Sequence, residues 1–214
     1  MKKIIVLILA AILAQVDSDA QVDAKAQKIL IEVSAKYKSY KSLAASFKLE
    51  LMDQKTKKTD TQTGSITLKN NMYNLTMADQ VVMSDGKTVW TFLKESNEVQ
   101  ISEAKANSDA ISPTTIFTLY ERGFKQKYLA DKKTGGKAIH LIELFPTDTK
   151  KNYFKIQLEI SKADKYVQTA RVYDKNGNIY TYSIVKFTPN AAAPADLFTF
   201  NKAKHPGVET IDLR

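Results

Sequence analysis

The side chains of this chain that could carry chemistry are few and widely separated. The sequence contains two histidines, His140 and His205, and no cysteine. His140 falls in a stretch that alternates like a β-strand, and His205 lies near the C-terminus. Neither therefore belongs to the spacing of a metal site or of an activated nucleophile. The sequence predicts no catalytic residue, no metal site and no cofactor, so the protein is not expected to be an enzyme.

Two other features resemble functional motifs and have simpler explanations. Asp85 stands in a polar break between two apolar runs, where an aspartate is a common turn residue. Gly135 and Gly136 also separate two predicted strands, which is typical of a hairpin turn rather than of a phosphate-binding loop. Glu121 and Arg122 are expected on the solvent-exposed side of a helix. None of these residues indicates catalysis. The sequence therefore favours a binding function, and the predicted helices and strands would form the binding surface.

The N-terminus has the three regions of a secretory signal peptide. Met1 to Lys3 is basic, Ile4 to Leu13 is an uninterrupted apolar run, and Ser18 to Ala20 supplies small residues for cleavage. The apolar run is too short to span a bilayer permanently. We predict a signal peptide over 1–20, with cleavage after Ala14 as the alternative, and one domain over 21–214.

The charge and the lack of cysteine limit the partners and the means of stabilisation. An exported chain without cysteine has no disulfide and no thiol for a lipid anchor, so its apolar core must hold the fold. The net charge is +9, and the lysines are scattered except for a short cluster from Lys55 to Lys58. No nucleic-acid-binding motif accompanies them, so nucleic acid is not expected. The basic charge indicates either a solvated surface or transient contact with anionic membrane surfaces or acidic partners.

The predicted elements are mostly strands. An amphipathic helix is predicted from Asp23 to about Tyr40, because apolar residues recur there at helical spacing. From Ala45 onward the period changes to two, which predicts consecutive strands joined by turns. The pair Asp85-Gly86 predicts a two-residue hairpin of type I′.

The strand after that hairpin is apolar on both faces. Trp90 and Phe92 share one face, and Val89, Thr91 and Leu93 share the other. A sheet that is covered on only one side would show a polar face, so this strand is expected to be covered on both sides.

A second helix is predicted in the middle of the sheet. Ser112 and Pro113 have the residue types of an N-cap and a first helical position, and Gly123 suits a left-handed C-terminal cap. Strands resume after it, with strong hairpin signals at Gly135-Gly136 and at Asn176-Gly177. We expect a mainly β (α+β) fold, in which one long antiparallel sheet curls and two helices cover its open side, enclosing an apolar pocket.

Three segments of the sequence resemble the LolA-type outer-membrane lipoprotein carrier family. They are the run from Ser84 to Trp90, the helix that begins at Ser112-Pro113, and the ending Leu197 to Phe200 followed by Pro206 to Val208. The resemblance implies an unclosed β-barrel with a helical lid, located in the periplasm of a Gram-negative envelope. It also implies a monomeric carrier that takes triacylated lipoproteins from an inner-membrane lipoprotein-releasing ABC transporter and delivers them to the outer membrane, to an acceptor there if one exists.

The same resemblance assigns candidate site residues. The acyl-chain cavity would be lined by inward side chains of the sheet and the lid, although one-face alternation fits a filled core equally well: Phe47, Leu49, Leu75, Met77, Trp90, Phe92, Ile116, Phe117 and Tyr120. Some family members have an arginine after the second strand that holds the lid shut. The matching positions here are Lys69, Asn70 and Asn71, so the lid is expected to be latched differently.

Two other functions are compatible with the same architecture. One is a sensor or adaptor module that binds a lipid or a lipoprotein as a signal. The other is a carrier of different envelope lipids, such as free phospholipid or glycolipid. The identity of the bound cargo would distinguish all three.

Overall fold

The computed structural model describes residues 23–104, 120 and 123–214. In these described residues one helix precedes twelve strands, and two short 3₁₀ helices, Ala195–Phe198 and Lys202–Lys204, lie before the last strand. In chain order these elements are α1 Ala24–Lys38, β1 Leu43–Asp53, β2 Thr59–Lys69, β3 Met72–Met77, β4 Gln80–Ser84, β5 Thr88–Leu93, β6 Glu98–Glu103, β7 Phe124–Thr134, β8 Lys137–Pro146, β9 Tyr153–Ser161, β10 Val167–Asp174, β11 Asn178–Pro189 and β12 Glu209–Asp212.

Helix α1 begins and ends close to the predicted bounds. Asp23 is its N-cap, since the carboxylate accepts the backbone N–H groups of Lys25 and Ala26. Its apolar stripe is buried against the sheet, which confirms the amphipathic helix. The buried members of the stripe are Ala26, Ile29, Leu30 and Val33.

All twelve strands of the described chain form a single curled, unclosed sheet. The order is β12-β6-β5-β4-β3-β2-β1-β11-β10-β9-β8-β7. Two consecutive meanders, β1 to β6 and β7 to β11, therefore meet where β1 pairs with β11. The mainly β fold is confirmed. The sheet differs from the purely antiparallel prediction at one edge, because β12 pairs with β6 in parallel. The chain reaches that edge only after a long stretch from 190 to 208, and short-range turn signals cannot reveal such a pairing.

The structure confirms the predicted hairpins, but the turn type predicted at Asp85-Gly86 was wrong. Gly86 has φ +90°, whereas Asp85 is not among the residues with positive φ. Three residues connect β4 to β5, and the Asp85 carboxylate accepts the N–H groups of Lys87 and Thr88. Asp85 therefore acts through its side chain, and the predicted type I′ turn does not form there. At Gly135-Gly136 both residues have positive φ, as a two-residue type I′ turn requires.

The strand register divides the sheet into two faces. Residues opposite each other on neighbouring strands point to the same side, and alternate residues of a strand point to opposite sides. Ala45, Ile66 and Leu75 are cross-strand partners on the side that α1 covers, here called the helix face. Met83, Trp90 and Ile101 are partners on the other side, which C-terminal residues cover and which we call the tail face.

Several predictions lie outside the described residues. They are the signal peptide over 1–20 and nearly all of the second helix, with Ile116 and Phe117. Gly123, where that helix was expected to end, has φ +79°. Among the described residues, none of the helices has the length and apolar character needed to cross a membrane.

Candidate functional site

The helix face carries a continuous apolar surface that runs from one meander into the other. Phe47 is 2% exposed and Met77 is 8% exposed, while Leu49 and Leu75 are partly buried and pack against the same cluster. Across the β1–β11 junction the surface continues through Tyr182, whose cross-strand partner is Leu49. Four of the predicted cavity residues therefore share one apolar face beneath α1.

Phe47 and Met77 are close together because a glycine lies between them. Gly64 is the cross-strand partner of both. A Cβ atom built on Gly64 would lie 2.5 Å from Met77 Sδ and 2.7 Å from Phe47 Cζ. At this point the two side chains fill the space above the sheet as packed core. The open part of the site must therefore lie elsewhere on the helix face.

The sheet does not bring Trp90 and Phe92 to that face. Phe92 is a cross-strand partner of Val99, and both are buried on the tail face. The Phe92 ring lies 5.5 Å from the Phe200 ring and 4.3 Å from the His205 ring, measured between centroids. The tail face of β5 is covered, and coverage of its other face stays a prediction. Its inward positions on the helix face are instead Val89, Thr91 and Leu93.

A cavity of ≈ 420 Å³ opens beside α1. Among the described lining residues, Tyr120, which is 1% exposed, is the one predicted site residue, and most of the others belong to the helix. The lining residues are Gln27, Leu30, Ile31, Ser34, Ala35, Lys38, Tyr120 and Gln126. The sequence reasoning missed the helical wall because it assigned α1 only a buried stripe. The apolar type of Ile31, outside that stripe, was the signal available in the sequence.

Gln126 is the polar group that links this cavity to strand β7. Its Nε2 donates to the Tyr120 carbonyl oxygen over 3.3 Å, which fixes the orientation of the amide. Its Oε1 is buried and accepts no hydrogen bond from the part of the chain that the structure describes. On the same face, beside Leu49, burial raises the pKa of Tyr182 to about 12. A neutral tyrosine and an amide suit the binding of an uncharged, largely apolar molecule.

A small group of charged side chains joins β7, β8 and the turn after β9. His140, which was predicted to face solvent or to be satisfied locally, is 8% exposed, and its Nδ1 lies 2.6 Å from Asp131 Oδ1. The Lys162 ammonium, the Tyr128 hydroxyl and His140 hold the pKa of the Asp131 carboxyl well below its usual range. This local pairing explains His140 without a catalytic role. Among the described residues no group of three or more metal-ligating side chains occurs.

The three predicted gate residues contact the tail and a neighbouring loop. Lys69 Nζ donates to the Ala193 carbonyl oxygen over 3.0 Å. Asn70 has φ +55°, the left-handed conformation that a tight turn needs. Asn71 packs against Gly86, where an added Cβ would lie 2.2 Å from its Nδ2. In the described structure Asn70 forms the β2–β3 turn, and Lys69 and Asn71 hold it against the tail and the β4–β5 turn. A gating role for the three residues stays a prediction.

Comparison with known families and structures identifies this architecture. The family model described as "Outer membrane lipoprotein carrier protein LolA" matches residues 38–201. An uncharacterized conserved protein from Thermus thermophilus matches with a TM-score of 0.61 and 12% identity, covering 88% of this chain and 99% of that one.

Two further solved structures match less closely. A putative outer membrane lipoprotein-sorting protein domain from Vibrio parahaemolyticus has a TM-score of 0.47 and 13% identity, covering 84% of this chain and 97% of that one. A LolA superfamily protein from Nitrosomonas europaea has a TM-score of 0.44 and 13% identity, with coverages of 82% and 97%. The search of curated proteins returned no match.

Proposed function

Because the chain belongs to the LolA family of outer membrane lipoprotein carrier proteins, we propose that it binds the acyl chains of lipoproteins and moves them from the inner to the outer membrane. The family comprises binding and carrier proteins, which supports a role in lipoprotein or lipid binding. The single observation that carries the finer proposal is the continuous apolar helix face, with a cavity where α1 lies beside it.

The energetics of acyl-chain transfer favour such a site. Each buried CH₂ group contributes about 0.8 kcal/mol, so a long acyl chain left in water costs on the order of 10 kcal/mol. A carrier must offset most of this cost and still release the chain. Phe47 and Met77 are packed as core, so we assign the binding surface to the partly buried Leu49, Leu75 and Tyr182. We add Tyr120, which is buried like Phe47 but lines the cavity. Ile116 and Phe117 remain candidate contributors from the predicted lid.

The same proposal includes the location of the protein and the source and destination of its cargo. We place the protein in the periplasm, with residues 1–20 as a signal peptide and 21–214 as one carrier domain acting as a monomer. Triacylated lipoproteins would arrive from an inner-membrane ABC transporter and leave for the outer membrane. No group in the described site points to catalysis, so the cargo is expected to pass through chemically unchanged.

The decisive experiment is to purify the protein from its own cells and identify the bound molecules by mass spectrometry. Triacylated lipoproteins at stoichiometric amounts are expected. Leu49→Asp places a charge on the helix face and should abolish their recovery. Thr76→Asp on β3 is the matched control, because Thr76 is partly exposed and its partner Val81 lies on the tail face. Recovery of free phospholipid alone would replace this proposal with general lipid transport. A bound protein without lipid would replace it with a sensor.

A further inference from the structure

One side of helix α1 remains exposed and combines apolar and basic residues. Ile31 has 60% of its surface exposed, although a large aliphatic side chain in an amphipathic helix is normally buried. Residues three, four and seven positions away lie on the same side of a helix. The residues so placed around Ile31 are Ala24, Gln27, Lys28, Ser34, Ala35 and Lys38. Gln27 and Ser34 line the cavity, and the outer stripe of α1 is defined here as the other four together with Ile31.

The outer stripe borders the cavity. Ile31, Ala35 and Lys38 belong to the stripe and also line the cavity wall. Four other large apolar side chains of the described chain are also exposed, and none of them lines this cavity: Leu129, Phe154, Val185 and Leu213. An isolated exposed aliphatic residue needs no explanation. Ile31 differs from such residues because it is exposed at the rim of a candidate lipid site, so its exposure needs an explanation.

The charged side chains around the outer stripe are mostly basic. Residues 24–41 contain five lysines and a single carboxylate, Glu32. Glu32 is itself engaged, because Lys165 Nζ lies 2.8 Å from its Oε2. Lys165 and Lys28 hold the pKa of the Glu32 carboxyl below its usual value. The helix therefore presents an excess of positive charge around an apolar centre.

We propose that the outer stripe of α1 is the surface with which this protein docks onto anionic phospholipid membranes. Lysines extend apolar stems and place their ammonium groups at the head groups, while an aliphatic side chain between them enters the interface. This combination fits a lipid surface better than an acidic protein, whose recognition would not require Ile31. The inference rests on the proposed carrier function, because docking on this side turns the cavity rim toward the membrane from which an acyl chain enters or leaves.

Vesicle co-sedimentation of the purified protein tests the docking surface. The vesicles are phosphatidylcholine alone, or phosphatidylcholine mixed with phosphatidylglycerol, at low and at high salt. We expect binding to the anionic vesicles that weakens with salt. Lys28→Gln should reduce it about fivefold. Ile31→Ser should reduce it about tenfold.

Matched controls use exposed residues of the same type away from α1. Val185 is 71% exposed on β11, and Lys58 is exposed in the β1–β2 turn. Val185→Ser and Lys58→Gln should bind vesicles like the wild type. The proposal would be overturned if the control variants lost as much vesicle binding as the α1 variants. It would also be overturned if the wild-type protein did not bind anionic vesicles.

A second assay separates docking from the carrier function. Uptake of a fluorescent triacyl lipopeptide is measured without vesicles for the wild type and for Lys28→Gln, since Lys28 is outside the cavity lining. Lipopeptide uptake without vesicle binding would refute docking and leave the carrier function standing. Vesicle binding through the outer stripe without uptake would refute the carrier function alone.

Discussion

The Asp23 carboxylate accepts the backbone N–H of Tyr128 over 2.7 Å. Its other oxygen accepts the N–H groups of Lys25 and Ala26 at the start of α1. One side chain thus caps the helix and also pairs with edge strand β7. Because β7 has a strand neighbour on only one side in the described sheet, this bond joins the covering helix directly to the open edge of the sheet.

Replacing Asp23 should show that its two roles are separable. Asp23→Ala removes the cap and the bond to Tyr128, so the free energy of unfolding is expected to fall by about 1–2 kcal/mol. Asp23→Asn keeps a carbonyl oxygen for the cap and loses the second acceptor, so its loss should be smaller. Urea denaturation measures both values. Equal losses for the two variants would mean that the cap contributes nothing.

Acid should weaken the contacts along β7, where Asp23 caps α1 and Asp131 pairs with His140 and Lys162. Backbone bonds from Ala26 and Tyr128 lower the pKa of Asp23, and Lys162, Tyr128 and His140 lower that of Asp131. A lowered folded-state pKa contributes stability that is present above the unfolded value of 3.8 and is lost as pH falls through the folded-state pKa. The Tm should therefore drop as pH falls below about 4.

The control for the acid effect is the variant Asp131→Asn, which cannot ionise at that position. Its Tm should be lower than that of the wild type near neutral pH and should depend less steeply on pH in the acid range. Parallel acid profiles for the two proteins would show that Asp131 gains no stability from its partners.

Gly64→Ala should destabilise the core beneath α1. The new Cβ would lie 2.5 Å from Met77 Sδ, which can move, and 2.9 Å from the Thr76 carbonyl oxygen, which is fixed in the ladder. Overpacking of this kind costs roughly 1–3 kcal/mol. Thermal unfolding measures the loss. The double variant with Met77→Ala lacks the sulfur contact and is compared with Met77→Ala alone, because removing a core methionine is itself destabilising. If Gly64→Ala costs nothing in that background, the backbone contact is unimportant.

The single tryptophan provides a test of the proposed acyl-chain site on the helix face. Trp90 packs on the tail face, so a brominated fatty acid bound on the helix face should leave its fluorescence unquenched. The variant Trp90→Phe with Tyr182→Trp moves the probe to the helix face, and its emission should be quenched. Quenching of Trp90 in the wild-type protein would instead place acyl chains against the tail face.

Local patterns predicted most of this fold. Period-two alternation from Ala45 onward and helical spacing after Asp23 each report on a few neighbouring residues, and both were confirmed. The site was harder, because alternation shows that Trp90 and Phe92 share a face without showing which face it is. That choice depends on the register between β4, β5 and β6. The parallel pairing of β12 depends on contacts more than a hundred residues apart.

The missing pairing between β12 and β7 also affects the mechanics of the sheet. In a closed barrel, strand number and stagger fix the diameter, so the interior has one size. Here the two end strands can move apart without breaking a single ladder hydrogen bond, since the described sheet has no bond between them. Widening the sheet would change the twist between neighbouring strands, and such a change requires little energy. For the proposed carrier, such widening would let one pocket accept cargo with different numbers and lengths of acyl chains.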